Sequence, residues 1–218
     1  MTKRLIASFA LSSALLMAGC SSSTTQPEQY SGFLSDYSIL KPATSASGAP
    51  VLRWTKPGLD LNQYSSVLVE KPQFYPAPKP NEQISQKALN DIASYLQQAM
   101  KRELAGRLRI VNQADADTLV LRSAITAVDT SAKGLQFYEV IPIALAVAAA
   151  TAAAGTRDED TTIFVEMQAL DGTTGKPVAE VVRKGTGLRL ENDSTQLTVK
   201  DLAPVLDVWA KDARNFKP

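Results

Sequence analysis

The chain has no histidine and a single cysteine, Cys20, among its 218 residues. Lack of histidine removes the Ser-His-Asp and Cys-His nucleophile arrangements, histidine-ligated zinc or iron, and the commonest general base near neutral pH. One cysteine rules out a disulfide within the monomer. Neither sign of charge prevails, with 23 basic residues against 22 acidic ones. No basic footprint of the kind that binds nucleic acid or anionic lipid is present, and no nucleic-acid partner is expected. Long apolar runs are also missing: the stretch from Leu5 to Leu16 is shorter than the roughly 20 residues that span a bilayer.

That short run has a different meaning at the start of a chain. Lys3 and Arg4 precede it, and Met17-Ala18-Gly19-Cys20 follows it, the layout of a secretory leader with small residues before the cut. The four residues resemble the lipobox, usually written Leu-Ala-Gly-Cys, with Met17 where leucine is commonest. Residues 1–19 therefore read as a lipoprotein signal peptide and Cys20 as the lipid-attachment site. Three acyl chains, at about 0.8 kcal/mol per buried methylene, anchor far more firmly than one. Ser21 after the cysteine favours, by resemblance to Gram-negative lipoproteins, onward export to the outer membrane. Residues 20–30 read as the anchor and a flexible tether, with the domain facing the periplasm. Loss of Lys3 and Arg4 leaves 21 basic against 22 acidic residues.

Residues 31–218 read as one α+β domain. Ser65–Lys71 has the alternation of a core strand, ended by Pro72, Pro76, Pro78 and Pro80. From about Glu82 to Ala105, Ile84, Ala88, Ile92, Leu96, Ala99, Met100 and Leu104 form an apolar stripe at helical spacing, closed by Gly106. A short strand follows at Leu108–Val111 and a longer one at Asp117–Asp129. Thr161–Leu170 and Val178–Thr186 make a hairpin around the turn-rich Asp171-Gly172-Thr173-Thr174-Gly175-Lys176-Pro177. A last helix is expected to be capped by Asp201, with Pro204 in its first turn and Leu202, Leu206, Trp209, Ala213 and Phe216 along one face. Pro42–Asp60 reads as a loop with one extended piece at Val51–Trp54. The fold class expected is α+β: a mostly antiparallel sheet against a long amphipathic helix and a C-terminal helix, plus an alanine-rich apolar helix.

Two motifs fail on inspection. Asp115 and Asp117 lack the further oxygen ligands and glycine of a calcium loop, so a solvated turn is expected and no metal. Thr174-Gly175-Lys176 lacks a glycine five residues before Gly175, and Pro177 stands where a phosphate loop needs serine or threonine. No cofactor is expected.

The first residues of the domain carry a resemblance. Ser31-Gly32-Phe33-Leu34, then Asp36-Tyr37-Ser38 and Leu40, placed just after the lipidated cysteine, resemble the opening of a family of proteobacterial lipoproteins catalogued as domain of unknown function 3313. Looser similarity continues through Trp54, Asp115 to Asp117 and Asp171 to Lys176. The resemblance implies an envelope lipoprotein and supplies no catalytic residues.

One segment stands apart. Residues 140–156 carry no charge, and Ala144 to Ala154 are mostly alanine. As a helix this core is about 20 Å long at 1.5 Å per residue, too short to cross a membrane. Apolar all round, it must be surrounded. Either it is buried within the domain, or Ala146, Ala150 and Ala154, spaced by four, admit a second helix from another copy or lie at a membrane surface. Three functions follow: a non-enzymatic, outer-membrane-anchored assembly or interaction component; a self-associating ring or pore-like oligomer through 140–156; and a carboxylate-based hydrolase of envelope glycans, which two acids could perform without histidine. The first is preferred. Expected partners are the membrane, through the lipid, and a second copy or another envelope protein.

Overall fold

A computed structural model describes residues 24–131 and 160–218. Eight strands form one sheet: β1 (Lys41–Thr44), β2 (Pro50–Thr55), β3 (Ser66–Val69), β4 (Gln73–Phe74), β5 (Arg109–Val111), β6 (Thr118–Ser131), β7 (Asp160–Asp171) and β8 (Pro177–Thr186). Among the described residues the α-helices are α1 (Gln86–Leu104) and α2 (Val199–Arg214). The strand order is β1-β2-β8-β7-β6-β3-β5, with β4 also paired to β6.

The sheet is mostly antiparallel, from β1 across to β6. Beyond β6 the hand of pairing changes, since β3 runs parallel to both β6 and β5, and β4 parallel to β6. Parallel neighbours need a crossover, and α1 is that crossover between β3–β4 and β5.

Both helices cover one face, where Ile92, Leu96, Leu202 and Leu206 join Val67, Val165 and Ile125 in the main core. They lie side by side and point the same way. Gln83 O near the start of α1 accepts from Leu197 N (2.9 Å), Tyr95 Oη donates to Asp207 (3.0 Å), and Arg107 reaches the Arg214 carbonyl at the end of α2. Two glycines of and after β8 let α2 approach. A Cβ on Gly185 would strike Val205 and Trp209, and one on Gly187 would strike the Asp201 carbonyl.

The elements differ from the sequence reading in four places. The long helix begins at Gln86 instead of Glu82, because Ser85 accepts the Ala88 amide as its N-cap and Asn81 closes a turn on Ile84. The last helix begins at Val199, with Thr198 as cap; Asp201 is the third helical residue and reaches back to the Thr198 amide and hydroxyl (both 2.8 Å). Pro204 thus falls beyond the first turn, inside the helix. β3 does end before Pro72, at Val69, but a further two-residue strand, β4, follows the proline at once on β6. Within Pro42–Asp60 the chain makes a hairpin, β1 and β2, joined by a turn in which Ser45 N donates to Ala49 O (2.8 Å).

Residue 20 and residues 140–156 lie outside the described residues, and with them the sites read at Cys20, Ala146, Ala150 and Ala154 and the alanine-rich helix. The strands flanking that segment meet at their ends, Ser131 being the register partner of Asp160. Among the described residues no helix is long and apolar enough to cross a membrane.

Candidate functional site

Two places concentrate buried polar groups, one on each face of the sheet. On the face away from the helices, Glu166 of β7 is 1% exposed. Simple alternation with Val165 and Met167 reads it as a solvent-facing residue. Instead the segment 30–40 lies over it as a strap. Ser31 donates to Glu166 through its amide (2.9 Å to Oε1) and its hydroxyl (2.8 Å to Oε2), and Tyr37 Oη donates at 2.6 Å to Oε2. Burial, reinforced by the Glu166 hydrogen bond, pushes the Tyr37 phenol up to about 12, so it remains a donor at any physiological pH.

The residues that carry the family resemblance have their places in this strap. Gly32 sits at φ +88°, where other residues are strained, and donates to Tyr37 Oη (2.8 Å). Leu34 is buried with Leu52 and Val182, and Tyr30, Phe33, Tyr37 and Leu40 pack around them. Tyr30 stacks on Tyr37 with centroids 4.3 Å apart. Asp36 holds the Ser38 amide (2.8 Å) and hydroxyl (2.6 Å), which keep its carboxyl below the usual range. Near the strap, Glu180 of β8 is 2% exposed and its Oε1 has no hydrogen-bond partner. Burial, and secondarily Asp36, raises its carboxyl above the ordinary value.

On the helix side lies a groove of about 880 Å³ between the sheet and the end of α2. Its lining includes Val67, Leu119, Leu121, Met167 and Val181 from the strands and Leu104, Trp209 and Phe216 from the helical layer. Leu119, Leu121, Val181 and Phe216 are only half-buried, because α2 ends at Arg214 and leaves this end of the sheet partly bare. One wall holds a buried ion pair, Arg183 Nη2 to Asp212 Oδ2 at 2.5 Å, with each side chain 6% exposed. Asp212 also accepts the Ser47 amide (2.6 Å) and hydroxyl (2.9 Å) from the β1–β2 turn. Arg183 lies over the Trp209 ring (5.2 Å to its centroid), and its Nε has no partner.

Other polar positions are structural. Asp171 accepts from the Thr174 amide and hydroxyl (both 2.8 Å) and from Tyr64 Oη (3.0 Å), fixing the β7–β8 turn and lowering its own carboxyl. Asp117 accepts from the Ser65 hydroxyl, and Asp115 is exposed. No group of three or more metal-ligating side chains occurs among the described residues.

A family model described as "Protein of unknown function (DUF3313)" matches residues 29–213, from the strap almost to the end of α2. The chain belongs to this family. A lipoprotein of Escherichia coli K12, named uncharacterized lipoprotein YdcL, is 46% identical over 207 residues, spanning 95% of this chain and 93% of the relative, and the same holds for its counterpart in strain O157:H7. Among solved structures, the PelC dodecamer from Paraburkholderia phytofirmans aligns over 77% of this chain and 98% of its own, at 12% identity and a TM-score of 0.42. Protein XCC0632 of Xanthomonas campestris, of family DUF330, aligns over 72% and 86%, at 16% identity and a TM-score of 0.40. Membership in DUF3313 thus agrees with the resemblance read from Ser31 to Leu40, and the kinship is with lipoproteins of no named activity.

Proposed function

We propose that this DUF3313 member is a lipoprotein anchored through Cys20 in the outer membrane, with its folded part in the periplasm, working by binding and not by catalysis. The observation that carries the reading is the use of its buried carboxylates. Glu166 and Asp212 each hold a distant segment of the same chain by a serine amide and hydroxyl, while the main concavity has a predominantly apolar lining. An apolar cleft with a few fixed polar groups is the usual form of a small-molecule binding site. The anchor is supported by the leader and lipobox-like residues 17–20 and by the strap, which ties the chain to the sheet at Ser31, eleven residues after the anchor.

Separation of inner and outer membranes on a density gradient tests the reading. The wild-type chain should band with the outer membrane, and Ser21→Asp should move it to the inner one. Cys20→Ser should abolish labelling by radioactive palmitate and leave uncleaved precursor. Normal processing of Cys20→Ser overturns the anchor, and inner-membrane banding of the wild type overturns the address.

A second reading, self-association through residues 140–156, is favoured by their composition and by the joint from which they spring. Ser131 and Asp160 are paired neighbours, so 28 residues leave and rejoin the sheet at one point. Removing Ala144 to Ala154 should then lower the mass of the gently extracted protein from oligomer to monomer.

A further inference from the structure

The groove beside the end of α2 has a chemistry that narrows its occupant. Its volume, about 880 Å³, lies within the roughly 300–1,000 Å³ of small-molecule sites. Its floor is aliphatic, formed by Val67, Leu119, Leu121, Met167 and Val181. Five basic residues line it against two acidic ones: Arg53, Arg107, Arg183, Arg214 and Lys217, with Glu180 and Asp212.

Those cations do not all have the same reason to be there. Arg107 bonds to the carbonyls of Arg214 and Phe216, and Arg214 stands in the last turn of α2, 3.6 Å from Glu103; both answer the negative end of a helix. Arg53 and Arg183 stand on strands and have no such task. Arg53 lies 5.3 Å from the centroid of the Phe216 ring, a contact that leaves its charge unneutralised. Arg183 is matched by Asp212 at one nitrogen only. Its Nε is buried and has no hydrogen-bond partner, so the charge of this lining residue is only partly satisfied. Glu180, the second acid, stands on β8 with Val182 on the strap side of the sheet, the face opposite Arg183.

We propose that the groove binds a single-chain anionic amphiphile, its acyl chain along the aliphatic floor and its carboxylate or phosphate at Arg53, beside the buried guanidinium of Arg183. This rests on the binding reading above and names the class of ligand for it.

The test uses the full-length lipidated protein in nanodiscs of phosphatidylethanolamine and phosphatidylglycerol, with palmitic acid bearing a chain-borne diazirine as probe. After illumination, crosslinks mapped by peptide mass spectrometry should fall on segments containing Leu121, Met167, Val181 and Trp209. Unlabelled palmitate should compete about tenfold better than hexadecanol, which has the same chain without the charge. Leu121→Trp, which fills the groove, should cut labelling about tenfold. Arg53→Gln, at the half-buried rim, should narrow the gap between palmitate and hexadecanol while leaving the fold intact, and it carries the test if Leu121→Trp does not fold. Labelling spread over the surface, or undiminished in a folded Leu121→Trp protein, overturns the site. Equal competition by hexadecanol overturns the anionic headgroup. Failure here with outer-membrane banding intact removes the ligand and leaves the anchored binding protein standing; banding elsewhere with specific labelling does the reverse.

Discussion

The two faces of the sheet use the same device with different electrical consequences. On each, a buried carboxylate accepts both the amide and the hydroxyl of a serine from a remote segment: Ser47 to Asp212 on the helix side, Ser31 to Glu166 on the strap side. Asp212 is also matched by the guanidinium of Arg183, whereas Glu166, among the described residues, has the neutral phenol of Tyr37 in addition. A carboxylate buried beside a cation depends on that cation, and the cation on it. One held by neutral donors can lose them piecemeal, so the strap should behave as a detachable unit and the helix layer as part of the global fold.

The largest effect should come from Asp212→Ala. It leaves Arg183 buried and uncompensated, a situation that costs about 3–5 kcal/mol. Urea unfolding should show this as a global loss with an unchanged slope. If Asp212→Ala instead released only the β1–β2 turn, with the main transition unmoved, the contrast between the faces would collapse. Glu166→Ala comes next, at about 3 kcal/mol, since it strips the acceptor from the Ser31 amide and hydroxyl and from the Tyr37 phenol. Here the expected readout is local: limited proteolysis within residues 30–40 accelerates while the midpoint of the helical signal shifts little. Gly187→Ala should cost about 2 kcal/mol, because its Cβ must displace the Asp201 backbone or the Thr161 hydroxyl where α2 meets the sheet. Thermal melting followed at 222 nm would register it, and strap proteolysis should not change.

These contrasts also explain what could be read from residues alone. The stripe from Ala88 to Leu104 and the pairing of β7 with β8 are visible because burial on one side imposes a period of 3.6 or 2. The capping box at Thr198 is legible as Thr-x-x-Asp, but Asp201, directly before the apolar face that starts at Leu202, is itself a good N-cap residue, and only the backbone separates the two. Glu166 shows the opposite case. Alternation reports that it points away from Val165 and Met167, and it does; nothing in β7 says that a strap 129 to 135 residues earlier will cover that second face. The hint lay in the strap, where Phe33, Leu34 and Tyr37 need an apolar surface that one helix-covered face cannot supply twice. Arg183 and Asp212 are 29 residues apart with no common motif, so only folding unites them. The groove is less legible still, since it exists because α2 stops at Arg214 while the strands run on beneath it.

Glu180 supplies the smallest and most discriminating test of the contrast. It shares the strap side's lack of a matching cation: its Oε1 is unpaired, and burial followed by Asp36 raises its folded carboxyl above the ordinary value. In the window between the unfolded and the folded value, the native state binds the proton more tightly than the unfolded chain. Stability therefore falls as pH rises through that window and stays low above it. Glu180→Gln removes the ionisable proton, so it should raise stability by on the order of 1 kcal/mol at pH 7 and by nothing below the unfolded carboxylate range. Asp171 has the reverse sign, because the Thr174 amide and hydroxyl lower its carboxyl and its contribution is lost as pH falls through the folded value. Denaturation midpoints of wild type and Glu180→Gln, measured from pH 4 to pH 8, should diverge as pH rises. Parallel curves would mean that an ionised Glu180 finds compensation on the strap face, and that this face tolerates an unmatched buried carboxylate better than its neutral donors suggest.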